Sequence, residues 1–92
     1  MQILRHQINA TLPMQLIGLR KGFKVLHFGV EDGMNYVYTL EDCSEDVVFI
    51  KIISHKTGDC IDVKELSDYT YKGSFNECAK QEMIHVYMKE IL

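Results

Sequence analysis

Proline appears once in this 92-residue chain, and no Gly/Ser-rich linker, low-complexity tail or internal repeat breaks it up. Those absences argue against disorder and offer no boundary, so one compact β-rich domain over 1–92 is expected. At this size the core must be shallow, because a small domain buries only a modest share of its unfolded surface. No apolar run approaches the roughly 20 residues needed to cross a bilayer, and the N-terminus lacks an uninterrupted secretory core. The expectation is a cytoplasmic protein that does not enter a membrane.

Charge of either sign is nearly balanced. The 13 Asp and Glu residues against 10 Lys and Arg leave a formal net charge of −3, which supports solubility and does not favour nucleic acid, whose binding rests on releasing phosphate counterions. Arg20, Lys21 and Lys24 form the one compact basic feature. They are the candidate contacts to a phosphate or an acidic partner.

Chemistry-bearing motifs are missing too. Cys43, Cys60 and Cys78 make an odd, widely spaced set without a Cys-x-x-Cys pair, which excludes a simple disulfide framework and a local zinc or redox motif. His6, His27, His55 and His85 form no HExxH, and no glycine-rich phosphate loop is present. A Cys60–His55 or Cys78–His85 pair would need hydrogen-bond reach and oxyanion donors before it became a nucleophile. Asp42, Glu45, Asp46, Asp59 and Asp62 read as loop acids rather than two carboxylates held about a cleft. No catalytic residue, metal site or cofactor is assigned.

What the chain has is a hairpin. In Lys24–Leu40 an Asp32-Gly33 turn joins two segments rich in β-branched and aromatic residues. Alternation places Leu26, Phe28 and Val30 on one side of the first strand and Val25, His27 and Gly29 on the other; Tyr36 and Tyr38 share a face opposite Val37. Upstream, Ile3–Ile8 reads as a short edge strand, Pro13 as an interruption, and Met14–Leu19 as a second strand before the Arg20-Lys21-Gly22 turn. The apolar run Val47–Ile53 is the best candidate for a central strand buried on both faces over part of its length.

Further on, His55–Asp59 reads as a turn, Cys60–Val63 as a short extension, Val63–Leu66 as a helical turn and Asp68–Phe75 as an exposed strand. The C-terminal segment reads two ways. Ala79, Met83, Tyr87 and Ile91 recur every four residues behind a capping Asn76, as in a helix; Ile84, Val86 and Met88 share a face if it is a strand. The fold class is mainly β, or α+β: a small antiparallel sheet or partly open barrel with at most one short helix near the C-terminus. Tyr36, Tyr38, Tyr69 and Tyr71 are the candidate partner-binding residues, since tyrosine offers a large contact area at small entropic cost.

The hydrophobic N-terminal strand, Leu19–Leu26, Gly29–Gly33, Tyr71–Phe75 and His85-Val86-Tyr87, in this order, resemble a family of small uncharacterised phage-associated antiparallel β proteins. The similarity covers roughly four fifths of the chain. The family commonly carries Pro where Arg20 stands, and the insertion-like stretch Asn76–Glu82 departs from its pattern. The resemblance implies a C-terminal strand preceded by a short helix. It also implies a non-enzymatic phage accessory protein that binds a host or phage protein, with inhibition of host defence as one such role, in the host cytoplasm. An edge strand would support a homodimer. The alternative is a nucleotide-ligand binding or sequestering protein, with Arg20, Lys21, Lys24 and facing tyrosines around an oligomeric cleft; a small His/Cys enzyme is the third reading.

Overall fold

The computed structural model describes residues 1–77 and 82–91. Seven strands follow one another: β1 (Gln2–Ile8), β2 (Met14–Arg20), β3 (Lys24–Glu31), β4 (Met34–Glu41), β5 (Val47–Lys56), β6 (Thr70–Asn76) and β7 (Met83–Ile91). They form two antiparallel sheets, one of three strands in the order β1-β4-β3 and one of four in the order β2-β5-β7-β6. The mainly β expectation holds, with the strands divided between two layers. The thinnest dimension of the molecule, 16 Å between extreme Cα positions, matches two sheets packed face to face at about 10 Å.

The best-founded local expectation is met at the β3–β4 turn. Asp32 and Gly33 both take positive φ, 51° and 75°, the backbone of a two-residue turn whose twist suits a right-twisted hairpin. The β3 alternation departs from a simple reading. A bulge between Val25 and His27 shifts the register on β4, so Val25 opposite Thr39 shares the inner face with Phe28 opposite Val37. Leu26, the extra residue, and Val30, near the turn, are both exposed. Pairing with β4 therefore overrides local alternation here.

β5 is an interior strand, as its composition suggested. Ile50 and Ile52 face inward and are almost fully covered, while Ile53 on the outer face is also buried; each such side chain contributes about 1.5–3 kcal/mol of transfer free energy. β5 and β6 both pair antiparallel with β7 and so run the same way. The connection 57–69 must therefore return along the length of the sheet, and the inner face is already occupied. It contains the expected helical turn, a 3₁₀ turn over Val63–Leu66, capped by the Asp62 carboxylate accepting from the Lys64 N–H. Cys60–Val63 extends no strand.

The C-terminal segment is a strand, with Ile84, Val86 and Met88 buried on the inner face. Asn76 ends β6 and pairs with Met83 on β7, so no helix occupies Met83–Ile91 behind it. The short helix expected over Asn76–Glu82 falls partly outside the described residues; Glu77 N–H donates to the Glu82 carbonyl at 2.8 Å.

Side chains from both layers meet in one cluster. Ile8, Phe28 and Val37 of the three-stranded sheet pack with Leu19, Ile50, Ile52, Phe75, Ile84, Val86 and Met88 of the other. Phe28 stacks on Phe75 with centroids 5.8 Å apart, and a Cβ on Gly73 would lie 2.8 Å from the Phe28 ring. Phe28 occupies the space that Gly73 leaves.

Candidate functional site

The outer face of the three-stranded sheet carries an interlocked polar and aromatic arrangement. Arg5 on β1, Glu31 on β3 and Tyr36 and Tyr38 on β4 converge there because Arg5 pairs with Tyr38 and Gly29 with Tyr36 across adjacent strands. The Arg5 guanidinium donates to the Glu31 carboxylate and lies 4.3 Å from the centre of the Tyr36 ring. The Tyr38 hydroxyl donates to the other Glu31 oxygen at 2.7 Å. His27 tilts against Tyr38 with centroids 6.0 Å apart.

Electrostatics follow from these bonds. The hydrogen bond from Tyr38 is the largest influence on Glu31 and, with Arg5 beside it, holds the carboxyl below the usual range despite some desolvation. The same bond pushes the Tyr38 hydroxyl up, since ionisation would set it against the carboxylate. A side chain on Gly29 would come within 3.2 Å of the Tyr38 ring. Leu26, His27, Gly29, Val30, Glu31 and Tyr38 line a shallow open depression.

The two tyrosine pairs singled out from the sequence do not share a surface. Tyr71 lies on β6, opposite Tyr87 on the outer face of the four-stranded sheet, with ring centroids 5.3 Å apart, so the sandwich separates it from Tyr36 and Tyr38. Tyr69 precedes β6, with the Lys89 ammonium 5.6 Å from its ring centre. The basic residues lie at a third place. Arg20 ends β2, where its guanidinium donates to the Glu45 carbonyl at 2.8 Å; the Lys21 N–H donates to the Asp46 carbonyl at 2.9 Å. Lys24 begins β3 and is exposed. Arg20 and Lys21 thus sit beside the acidic tip at Glu45 and Asp46.

Two polar clusters were not visible in the sequence. Glu41, 2% exposed, accepts from the Arg20 N–H at 2.7 Å, from Thr39 Oγ1 and from His6 Nε2 at 2.7 Å. An ionised carboxylate only accepts, so the His6 Nε2 carries the hydrogen. Burial pushes the Glu41 carboxyl up, but the bonds from Thr39, Arg20 and His6 outweigh it and leave the carboxyl below its ordinary range. This carboxylate ties the two sheets together.

The second cluster runs along β6 and β7. Tyr71 bonds Ser74, Ser74 Oγ lies 2.8 Å from His85 Nδ1, and His85 Nε2 lies 2.7 Å from Thr57 Oγ1. A serine–histidine contact is one part of a hydrolase site. Here the far ring nitrogen meets a hydroxyl where a hydrolase would place a carboxylate, and the arrangement reads as a satisfied polar ladder.

The remaining sequence candidates take structural positions. His55 lies 3.4 Å from the Asp59 carboxylate and edge-on to Tyr87. Cys43 and Cys60 are free and exposed, and Cys78 lies outside the described residues. Asp42 accepts from Ser44 in its own turn, and Asp59 accepts from the Lys56 N–H. No group of three or more metal-ligating side chains occurs among the described residues, nor among them is any helix long and apolar enough to cross a membrane.

Comparison with known families decides the kinship. The sequence matches, over residues 1–91, the family described as a domain of unknown function (DUF7352). The chain belongs to that family. The match takes in all seven strands and every residue of both polar clusters, so the sandwich described above is the structure of a family member throughout. No curated protein and no solved structure matches the chain.

Proposed function

We propose that this chain is a non-catalytic protein-binding module whose recognition surface is the outer face of the three-stranded sheet around Tyr36 and Tyr38. One observation carries the reading: Arg5, Tyr36, Glu31 and Tyr38 are already held in place by one another on an open face. Tyrosine and arginine dominate interface energetics, and side chains fixed before binding lose less entropy when a partner arrives. Exposed Leu26 and Met34 border the patch and add apolar contact area. The resemblance to phage-associated proteins supports a host or phage protein as the partner, blocked by occlusion, with a host-defence component as one such target.

The test begins with native mass spectrometry of the full chain purified from its own cellular setting, to identify a stoichiometric partner. Binding of that partner is then titrated against the Tyr36→Ala/Tyr38→Ala variant. Loss of two contact tyrosines should weaken binding on the order of a hundredfold, with an unchanged far-UV circular dichroism spectrum. Equal affinity of the folded double variant, or a wild-type chain that carries no stoichiometric protein, would refute the assignment.

A further inference from the structure

Among the described residues the two sheets leave four edges, β1, β3, β2 and β6, and an unprotected edge invites pairing. Three of the four are guarded. β1 carries Arg5 and His6 at its middle, β3 is bulged at Leu26 and bears Lys24 and Glu31 at its ends, and β6 is bulged at Lys72. β2 differs: from Met14 to Leu19 it has no charge, and its pairing with β5 is unbroken over Met14–Arg20.

The open backbone groups of β2 can be identified. Ser54 N–H donates to the Pro13 carbonyl and Lys21 N–H to the Asp46 carbonyl, so the odd-numbered positions of β2 face β5 and the even-numbered ones face outward from the sheet edge. Arg20, an even position, already gives its N–H to Glu41. The open stretch is therefore Met14, Leu16 and Gly18, bounded by Pro13 at one end and a carboxylate cap at the other. The side chains of Met14 and Leu16 project on the outer face opposite Ile53 and Lys51, and the same face continues past Gly18 to Phe49 and Val47, which stand opposite Gly18 and Arg20. Met14 is 49% exposed, Leu16 54%, Val47 51% and Phe49 60%.

The geometry points to a second copy of this chain as the occupant, with β2 pairing antiparallel to its counterpart about a two-fold axis through Leu16. In that register Leu16 faces Leu16 of the second copy, and Met14 faces Gly18. All three open positions are used and none is left over. Gly18 has no side chain of its own, and Val47 leans to within 3.0 Å of where a Cβ would stand, so the opposing Met14 lies against Val47 and Phe49. A two-fold axis sets like charge against like charge, which only an uncharged strand tolerates. The nearest like pair is Lys51, opposite Leu16 on β5, and its symmetry mate three strand spacings off; at about 14 Å they lie beyond the screening length of roughly 8–10 Å. The two four-stranded sheets become one of eight strands. The four half-exposed apolar side chains add to what two short strands bury, towards the roughly 800 Å² per partner of a standard interface.

Sedimentation equilibrium of the full chain, with Leu16→Lys and Leu16→Glu variants alone and mixed, tests this. The wild type should dimerise, and each variant, with like charges facing at the axis, should raise the dimer dissociation constant on the order of a hundredfold or more. Mixing the two variants should restore a one-to-one heterodimer, which also shows that both are folded. Tyr36→Ala/Tyr38→Ala on the other sheet should leave the dimer unchanged, so this result is separable from the recognition surface. A wild-type monomer, including one whose β2 edge takes up an extended peptide of another protein, would overturn the inference. So would a dimer that survives both charges, or folded variants that fail to pair when mixed.

Discussion

Removing the Glu41 carboxylate should markedly destabilise this protein. Truncation to alanine leaves the Arg20 N–H, Thr39 hydroxyl and His6 Nε2 without their shared acceptor and opens space in a site that is 2% exposed. A buried group left without its partner costs about 1–3 kcal/mol; with partial replacement by water, Glu41→Ala should lose about 2–4 kcal/mol in total. A 92-residue domain has roughly 5–14 kcal/mol to begin with. Glu41→Gln keeps one carbonyl for Arg20 and loses the charge, so about 1–2 kcal/mol is expected. Urea titrations followed by circular dichroism read both values from the midpoint, the slope staying constant if the unfolded state is unaltered. The pH dependence has a definite sign. The folded carboxyl titrates below its unfolded value, so its contribution is complete above the ordinary Glu value of about 4.3 and disappears as pH falls through the lower folded value. The wild type should thus lose stability on acidification over that window more steeply than Glu41→Gln. If both variants unfold within about 0.5 kcal/mol of the wild type, or if the acid limb is the same with and without the carboxyl, Glu41 does not join the sheets.

Other substitutions probe separate parts of the fold. Gly33→Val forces a β-branched residue to a φ of 75° and should cost about 1–2 kcal/mol, whereas Glu31→Gln at the exposed neighbouring pair should cost well under 1 kcal/mol; similar losses in thermal melts would contradict the turn. Ile50→Asp places a charge at a position 1% exposed and should abolish the cooperative unfolding transition, while Lys51→Ala leaves it in place, as calorimetry would show.

The Asp32-Gly33 hairpin was legible because its cause is local: two adjacent residues that tolerate positive φ between segments suited to strands. The interior position of β5 was legible because Ile52 and Ile53 are adjacent and both apolar, a pattern that exposure on one face would not favour. Leu26 was misplaced because its side is set by which β4 residue it opposes, and pairing distance leaves no trace in a window of eight residues. Glu41 drew no reading from the sequence, since nothing near it foretells that the end of β2, twenty-one positions earlier, supplies its partner. Tyr36 with Tyr38 and Tyr69 with Tyr71 looked equivalent, and only the layering put the first pair and Tyr71 on opposite outer surfaces.

Residue order settles the features whose energetics act within a turn or a strand: where the chain reverses, which stretches alternate, and that no span is apolar enough to leave water as a helix. Packing of two layers settles the features that depend on contacts between distant segments. β1 joins β4 and β2 joins β5 across long stretches of chain, and that choice decides which carboxylate is buried, which tyrosines meet Arg5 and which sheet edge stays open. Those contacts are paid for by apolar surface removed from water over the whole sandwich, a quantity that no short segment carries by itself.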